Sequence, residues 1–452
     1  MTRPKAGVFI HTRIHRIDND DAGQYRGMMT ETITRRHAWD WKRWILWGLM
    51  LISVGGLIGC APLPQVRAED RLWANLSLDY LDRYDVQIRD LEGMDFGGLS
   101  AIAYDAQTGG YLVLSDDRGQ GGPARFYDLD IDLDRETGLI QAVRIGDVHP
   151  LSAADQMPYP SGSIDPEGLA ITPDNTLLIS SEGDAERGIA PFIAEFSRDG
   201  RYLRDLPLYD YFIPDTVETM TDDRPQEDVA TRPVQTLGVQ NNAGFESLTI
   251  GGRGSGEPYR VFTATESPLL QDLPNLDTPT TANPDSDATA QKPQPAYSRL
   301  IHYSVIDRDR TQIVAEHLYP LDPPPLGATM IGLTELLALD QPGSFLSLER
   351  AYGPLGLFAK IYQVTLAGAS DTASLATLTG DLSGIVPIRK RLLFDFSTLQ
   401  QPIDNLEGMT IGPRLADGSQ SLLVISDDNF NPEQTTQIWL LRLSEAKAQD
   451  KN

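Results

Sequence analysis

The chain has 452 residues, with 64 Asp and Glu against 38 Lys and Arg, a formal charge of −26, and a single cysteine. An acidic excess of that size repels polyanions, so nucleic acid and anionic lipid surfaces are excluded as partners and cations are favoured. One cysteine excludes an internal disulfide framework, which leaves a chain of this length to hold itself together by its core.

At the start of the chain, Lys42 and Arg43 precede WILWGLMLISVGGLIG and then Cys60. The apolar run is of signal-peptide length and is broken by glycine, which fits a targeting segment better than a membrane span. Leu57 at minus three, Gly59 at minus one and Cys60 resemble the lipobox of bacterial lipoproteins, in which the cysteine becomes the acylated first residue. A buried thiol in an uncleaved anchor is the alternative. The segment before the apolar run is long for a leader, and Met28 and Met29 are alternative starts to Met1. Residues 1–59 are therefore read as a signal segment and 60–80 as an anchor linker. In the lipoprotein pattern Ala61, not Asp, follows the cysteine, which favours the outer membrane or cell surface. Residues 1–59 hold 9 of the Lys and Arg and 5 of the Asp and Glu, so the remainder is more acidic still.

Self-similarity dominates residues 81–446. A short apolar strand with a polar head is followed by a second strand that ends in an acid: GLSAIAYD with YLVLSDDRG, DPEGLAITPD with LLISSEGD, GFESLTIGG with VFTATESP, GLTELLALD with FLSLERAYG, and NLEGMTIGP with LLVISDDNF. Third strands follow as RFYDLDI, PFIAEFS, RLIHYSV, KIYQVTL and QIWLLRL. Fourth strands follow four of these as LIQAVRI, YLRDLPL, IVAEHLYPL and RLLFDF. Four short strands per repeat, with Gly, Asp and Pro in the turns, predict an all-β β-propeller of five blades. A sixth near residues 366–398 is the alternative. The last repeat lacks a fourth strand, and LDRYDVQIRDL (81–91) is expected to supply it and close the ring. Two stretches, 209–242 and 271–297, are rich in Pro, Asp and Thr and read as surface insertions, the first as a cap on the ring. Residues 447–452 are a tail.

Aligning the repeats on their acids gives two positions. The first is Ser100, Glu167, Glu246, Glu335 and Glu407, at the head of each first strand. The second is Asp116, Glu182, Glu266, Glu349 and Asp427, closing each second strand, expected on an opposite or intermediate level. First strands line a propeller channel, so the first set converges at its mouth. Carboxylates that converge must be protonated, hydrogen-bonded by backbone or neutralised by a cation. Hard oxygen donors without His or Cys favour Ca²⁺, with Mg²⁺ as the second choice. Glu167, Glu246, Glu335, Glu407, Asp116 and Asp427 are the candidate metal ligands. The competing reading makes these acids clasps between blades. Arg125, Arg299 and Lys360 begin third strands at equivalent positions, and Arg118, Arg187 and Arg350 follow second-strand acids. Arg118 and Arg350 are the candidates to orient an anion and the other four to bind it, the alternative being pairing with adjacent acids. No G-x-S-x-G, P-loop, H-E-x-x-H or paired Cys occurs, and His302, in LIHYSV, reads as a packed residue.

Taken together, GGLSAIAYD with LVLSDDRG, DPEGLAI with LLISSEGD, GFESLTI with TATE, SLERAYG, and DNLEGMTI with LLVISDDN resemble the phytase-like family described as having esterase-like activity of phytase, over roughly residues 90–445. The resemblance implies a β-propeller and hydrolysis of phosphate or carboxylic esters. Alkaline propeller phytases, similar in kind and not in motif, bind calcium through carboxylates at a propeller mouth. Two functions follow. One is a monomeric, lipid-anchored, metal-assisted hydrolase of small ester or phosphate substrates, with Glu167, Glu246, Glu335, Glu407, Arg118 and Arg350 as catalytic candidates. The other is a non-catalytic propeller scaffold that binds a ligand or partner at the cell envelope.

Overall fold

In the computed structural model, the described residues are 72–91, 93–134, 137–215, 235–251, 258–273, 295–378 and 382–445. Cys60, the stretch 1–59 read as a signal segment, most of both insertions and the C-terminal tail lie outside them.

The chain enters as β1 (Leu76–Asp85) and forms a small hairpin, β2 (Asp90–Leu91) with β3 (Met94–Asp95). Five four-stranded antiparallel sheets follow. Blade 1 is β4 (Leu99–Tyr104), β5 (Tyr111–Ser115), β6 (Arg125–Leu133) and β7 (Ile140–Pro150). Blade 2 is β8 (Pro166–Ile171), β9 (Leu177–Ser181), β10 (Phe192–Phe196) and β11 (Tyr202–Asp205). Blade 3 is β12 (Phe245–Gly251), β13 (Tyr259–Thr265), β14 (Tyr297–Asp307) and β15 (Arg310–Pro320). Blade 4 is β16 (Met330–Ala338), β17 (Ser344–Gly353), β18 (Gly356–Thr365) and β19 (Arg389–Asp395). Blade 5 is β20 (Asn405–Arg414), β21 (Gln420–Asp427) and β22 (Gln437–Glu445), and β1 is its fourth strand, with Leu76 opposite Glu445 and Asp85 opposite Gln437.

The protein is thus an all-β, five-bladed β-propeller closed by its N-terminal strand. That strand begins five residues before the stretch expected from sequence and ends at Asp85, because the Leu and Tyr positions from Leu76 onward pack on blade 5. The region read as a possible sixth blade contributes β19 to blade 4, and among the described residues 366–388 no strand occurs.

Burial explains why the strands were legible. First and second strands are covered on both faces and read as continuous apolar runs, as β5 and β9 do, with every residue buried. Outer strands such as β7 are half-buried or exposed at every position after Ile140, the mark of a sheet edge facing water. The core is five separate clusters, each sandwiched between neighbouring blades. Val113 and Tyr127 of blade 1 meet Leu423 and Ile438 of blade 5 in the cluster that closes the ring. Leu348 and Ile361 of blade 4 meet Trp439 of blade 5, whose indole is fully buried against Phe396 at 5.5 Å between ring centres.

Close approach of the blades also fixes the Glu-Gly pair in two repeats. A Cβ on Gly408 would lie 2.9 Å from the Ala101 Cα of blade 1, and one on Gly168 would lie 2.6 Å from the Glu246 carbonyl oxygen of blade 3. The start of β1, Leu76, and the end of β22, Glu445, lie at the end of the sheets where the first-to-second-strand turns sit, opposite the end that carries the repeated acids.

Candidate functional site

Every first strand carries a register shift near its start, where an extra residue is inserted into the pairing with the second strand. The inserted residue is Ser100 between Leu99 and Ala101, Glu246 between Phe245 and Ser247, Thr334 between Leu333 and Glu335, and Glu407 between Leu406 and Gly408. In blade 2, Glu167 lies within the shift between Pro166 and Leu169. A bulge re-aims one side chain out of the sheet. Here it turns Glu167, Glu246 and Glu407 toward the axis. Ser100 and Thr334 instead use their hydroxyls on the first strand of the next blade, donating to the carbonyls of Pro166 (3.2 Å) and Leu406 (3.5 Å).

Blade 4 therefore differs from the sequence alignment by one residue in both positions. Thr334, not Glu335, is the bulge residue, and Glu335 faces the gap between blades. It accepts from the amides of Leu336 (2.8 Å) and of Leu248 in blade 3 (3.4 Å), which is the clasp geometry. Leu333 pairs with Glu349 as Leu99 pairs with Ser115 and Phe245 with Thr265, so the equivalent of Asp116 and Glu266 is Arg350. Glu349 points elsewhere and accepts from Tyr319 Oη (2.6 Å) and pairs with Lys390.

The two repeated positions share one level. Arg350 Nη2 lies 3.0 Å from Glu266 Oε1, 3.4 Å from Glu407 Oε1 and 4.0 Å from Glu246 Oε1. Arg118 Nη2 lies 2.5 Å from Asp165 Oδ2 and from Asn242 Oδ1. Asn405 Nδ2 joins Glu407 (2.7 Å) to Asp427 (3.3 Å), and the Gly244 amide donates to Glu182 (2.8 Å). Eight carboxylates, those of Asp116, Asp165, Glu167, Glu182, Glu246, Glu266, Glu407 and Asp427, thus form one electrostatically connected group with two guanidinium groups.

Burial is the main cause of their raised pKa values, and neighbouring carboxylates add to it. Asp165 and Asp427 are each pushed up to about 6. Asp116, Glu167, Glu182, Glu246 and Glu407 are held well above the ordinary carboxylate range, and Glu266 is raised as well. Burial opposes the charge of Arg350, yet the surrounding Glu266, Glu407 and Glu246 raise its pKa further.

Three-residue sets within the group bring carboxylate oxygens within 4.8 Å of one another: Asp165, Glu167 and Glu182, and Glu182, Glu246 and Glu266. These buried acidic clusters have the composition and spacing to hold a metal ion, all ligands being hard oxygens. Asp165 Oδ1 is buried with no hydrogen-bond partner, while Arg118 stands beside the other oxygen. Asp116 Oδ1 is also buried without a partner. Asp165 is the site residue that the repeat alignment missed. It is the acid of DPEG one residue before the strand, and only the fold shows that the chain turns there toward the axis.

Beside the acids lies a cleft of about 540 Å³ lined by Asp95, Asp116, Asp117, Arg118, Asn242 and Phe430. Arg118 is partly exposed in it, with 30 % of its side chain accessible. The other basic candidates are elsewhere. Arg125 has no exposed surface and its Nη1 donates to Asp117 at 2.6 Å; Arg299 is equally buried between Asp272 (2.7 Å) and Glu316 (2.8 Å). Lys360 lies 3.8 Å from Asp322, and Arg187 donates to the Gly162 carbonyl at 2.6 Å. Arg125, Arg299 and Lys360 are equivalent along the third strands, since Lys360 pairs with Glu349 and the Arg299 amide bonds Thr265, but internal acids and carbonyls already occupy all four groups. His302 stacks on Phe262 at 4.4 Å, and burial lowers its pKa to about 4, so it is neutral packing material at physiological pH.

Residues 94–430 match the family model for Phytase-like: esterase-like activity of phytase. No curated protein matches the chain by sequence. Among solved structures, it is similar to the PQQ-bound aldose sugar dehydrogenase of Streptomyces coelicolor, at 13% identity, with 82% of this chain and 99% of that one covered and a TM-score of 0.31. It is also similar to a GH43 beta-xylosidase/alpha-arabinofuranosidase from a compost microbial metagenome, at 11% identity, 81% and 96% coverage and a TM-score of 0.35. A third likeness is to the GH62 alpha-L-arabinofuranosidase of Coprinopsis cinerea, at 8% identity, 82% and 97% coverage and a TM-score of 0.34.

Proposed function

Since this chain belongs to the phytase-like family, we propose that it is an exported, lipid-anchored hydrolase of phosphate or carboxylic esters that works with a divalent cation held at the acidic mouth. The carrying observation is the charge imbalance of that mouth, eight buried carboxylates against Arg118 and Arg350. A donor set of oxygens alone suits Ca²⁺, and Mg²⁺ after it. Asp165, Glu167 and Glu182 are the ligands nearest the cleft, because Arg118 bonds Asp165 and lines the cleft itself. When bound there, the ion supplies Lewis acidity toward an ester oxygen and lowers the pKa of water.

The side chains supply the rest. Arg118 orients an anionic oxygen of the substrate, held in place by Asn242 and Asp165. Asp116, whose pKa is raised by burial and by Asp427, is placed in the cleft to take or give a proton. Arg350 is enclosed by Glu266, Glu407 and Glu246 and serves to hold these acids together instead of meeting substrate. With one guanidinium in a cleft whose other charged groups are the acids Asp95, Asp116 and Asp117, the substrate carries a single anionic group, and a polyphosphorylated one is disfavoured.

Cys60 is the proposed acylation site. Replacing Cys60 with Ser is expected to move the protein from the membrane fraction to the soluble one.

The deciding experiment is turnover of a chromogenic phosphate monoester, a phosphodiester and a short acyl ester by the purified chain, each with Ca²⁺ and with chelator. Calcium-dependent turnover of one substrate, lost in Asp165→Asn with folding intact, is the expected result. The clasp made by Glu335 favours a second reading, in which the mouth is a structural and binding element of a scaffold. Folded protein with no turnover on any substrate selects it.

A further inference from the structure

The two close-set groups of acids are not independent, since Glu182 belongs to both. Around it the mouth divides into two halves of unlike character. Asp165 and Glu167 stand on the side of the cleft, with Arg118 at 2.5 Å from Asp165. Glu246 and Glu266 stand on the enclosed side, with Arg350 at 4.0 and 3.0 Å and only 11 % of its side chain exposed. Each half therefore has two acids of its own, one guanidinium at its edge, and Glu182 in common.

The two sets use five different acids with only Glu182 in common, and each has its own guanidinium group beside it, so one position cannot be central to both. Asp165 supplies an independent sign that this half is arranged to receive a cation. It is 98 % buried (2 % exposed), one of its oxygens has no donor, and that carboxylate belongs to the cleft-side group. Two-metal sites in hydrolases place their ions about 3.5–4 Å apart across shared carboxylates, a spacing that a common ligand within two 4.8 Å groups allows.

We propose that the mouth holds a pair of divalent cations bridged by Glu182, one on Asp165 and Glu167 at the cleft and one on Glu246 and Glu266 beneath Arg350. The proposal rests on the reading of the mouth as a cation site and goes beyond it in number, bridge and division of labour. The cleft-side ion is the one within reach of substrate. The enclosed ion fixes the geometry of Glu182 and offsets the charge that Arg350 alone does not.

The test uses the full chain freed of metal, with Ca²⁺ counted by elemental analysis after equilibrium dialysis, and Mn²⁺ as a paramagnetic probe. Wild type is expected to bind two ions per chain and to give a spin-coupled Mn²⁺ spectrum. Asp165→Asn and Glu266→Gln should each retain one ion and lose the coupling. Glu182→Gln should weaken both ions by at least about tenfold. One ion per chain, two ions without coupling, or full binding in Glu182→Gln overturns the pair. Should Glu182→Gln fail to fold by circular dichroism, the wild-type stoichiometry and spectrum decide. Two coupled ions in a protein with no turnover sustain the pair and remove the hydrolase reading; cation-dependent turnover with one bound ion does the reverse.

Discussion

The Arg299 cluster and the acidic mouth are both buried polar networks of this propeller, and they are satisfied to very different degrees. Around Arg299 every carboxylate oxygen has a donor. Asp272 accepts from Arg299 and from the Leu378 amide, and Glu316 accepts from Arg299, Thr372 and Tyr211. In the mouth, Asp165 Oδ1 and Asp116 Oδ1 have none, and most neighbours of each acid are other acids. A network closed on itself holds the fold together; one left open by buried groups of a single sign is arranged to receive opposite charge.

The contrast breaks most sharply at Arg299. Arg299→Ala leaves Asp272 and Glu316 buried without their cation and is expected to cost about 3–5 kcal/mol of stability. Chemical denaturation should show this loss equally with and without Ca²⁺, and a loss that Ca²⁺ repaired would erase the distinction between the two clusters.

Calcium itself should act on the mouth alone. At a free concentration one hundred times its dissociation constant, each site adds roughly 2.7 kcal/mol to wild type. The pH dependence has a fixed sign. Asp165 and Asp427 titrate at about 6 in the folded protein, above the ordinary value, so their contribution is fully present below the unfolded-state pKa and is lost as pH rises through about 6. Cation-free protein should therefore melt at lower temperature as pH is raised across that window, and Ca²⁺ should restore more at the upper end. A melting temperature independent of pH over the window would count against the charged mouth.

Glu246→Gln sharpens the comparison further. Removing one of several facing acids should stabilise the cation-free protein and at the same time reduce the Ca²⁺-induced gain in melting temperature. Opposite signs in the two conditions are the signature to look for. The smallest effect is expected at Glu335→Gln. The amide oxygen keeps the acceptor for Leu248 and Leu336, so stability should change by less than about 1 kcal/mol and Ca²⁺ affinity not at all. A loss of Ca²⁺ binding in this variant would return Glu335 to the ligand set.

Much of the propeller was legible because its information is local. Each inner strand is buried on both faces, as β5 and β21 are, and writes itself as an apolar run between Gly and Asp turns, so blades can be counted along the chain. The site was legible in composition and not in membership. Aligning blade 4 on its acids placed Glu335 and Glu349 with the others, whereas aligning on the apolar pattern puts Leu333 with Phe245 and Ser347 with Thr263, and so Thr334 and Arg350 at the mouth. That signal was present in GLTE beside GFES and in FLSLER beside VFTATE.

The sequence by itself determined the four-stranded repeat of a propeller, the closing role of the N-terminal strand and the acidity of one end of the ring. Hydrophobic periodicity and repetition carry all three, and neither depends on how blades meet. Tertiary structure decided which acids face the axis, because a one-residue bulge sets the direction of each side chain and leaves no mark in composition. It also decided that Arg125 and Arg299 are spent on internal acids, that Asp165 joins the mouth from outside its strand, and that Arg350 takes the place of an acid in blade 4. These facts concern residues far apart in the chain, and only closure of the ring brings them within reach of one another.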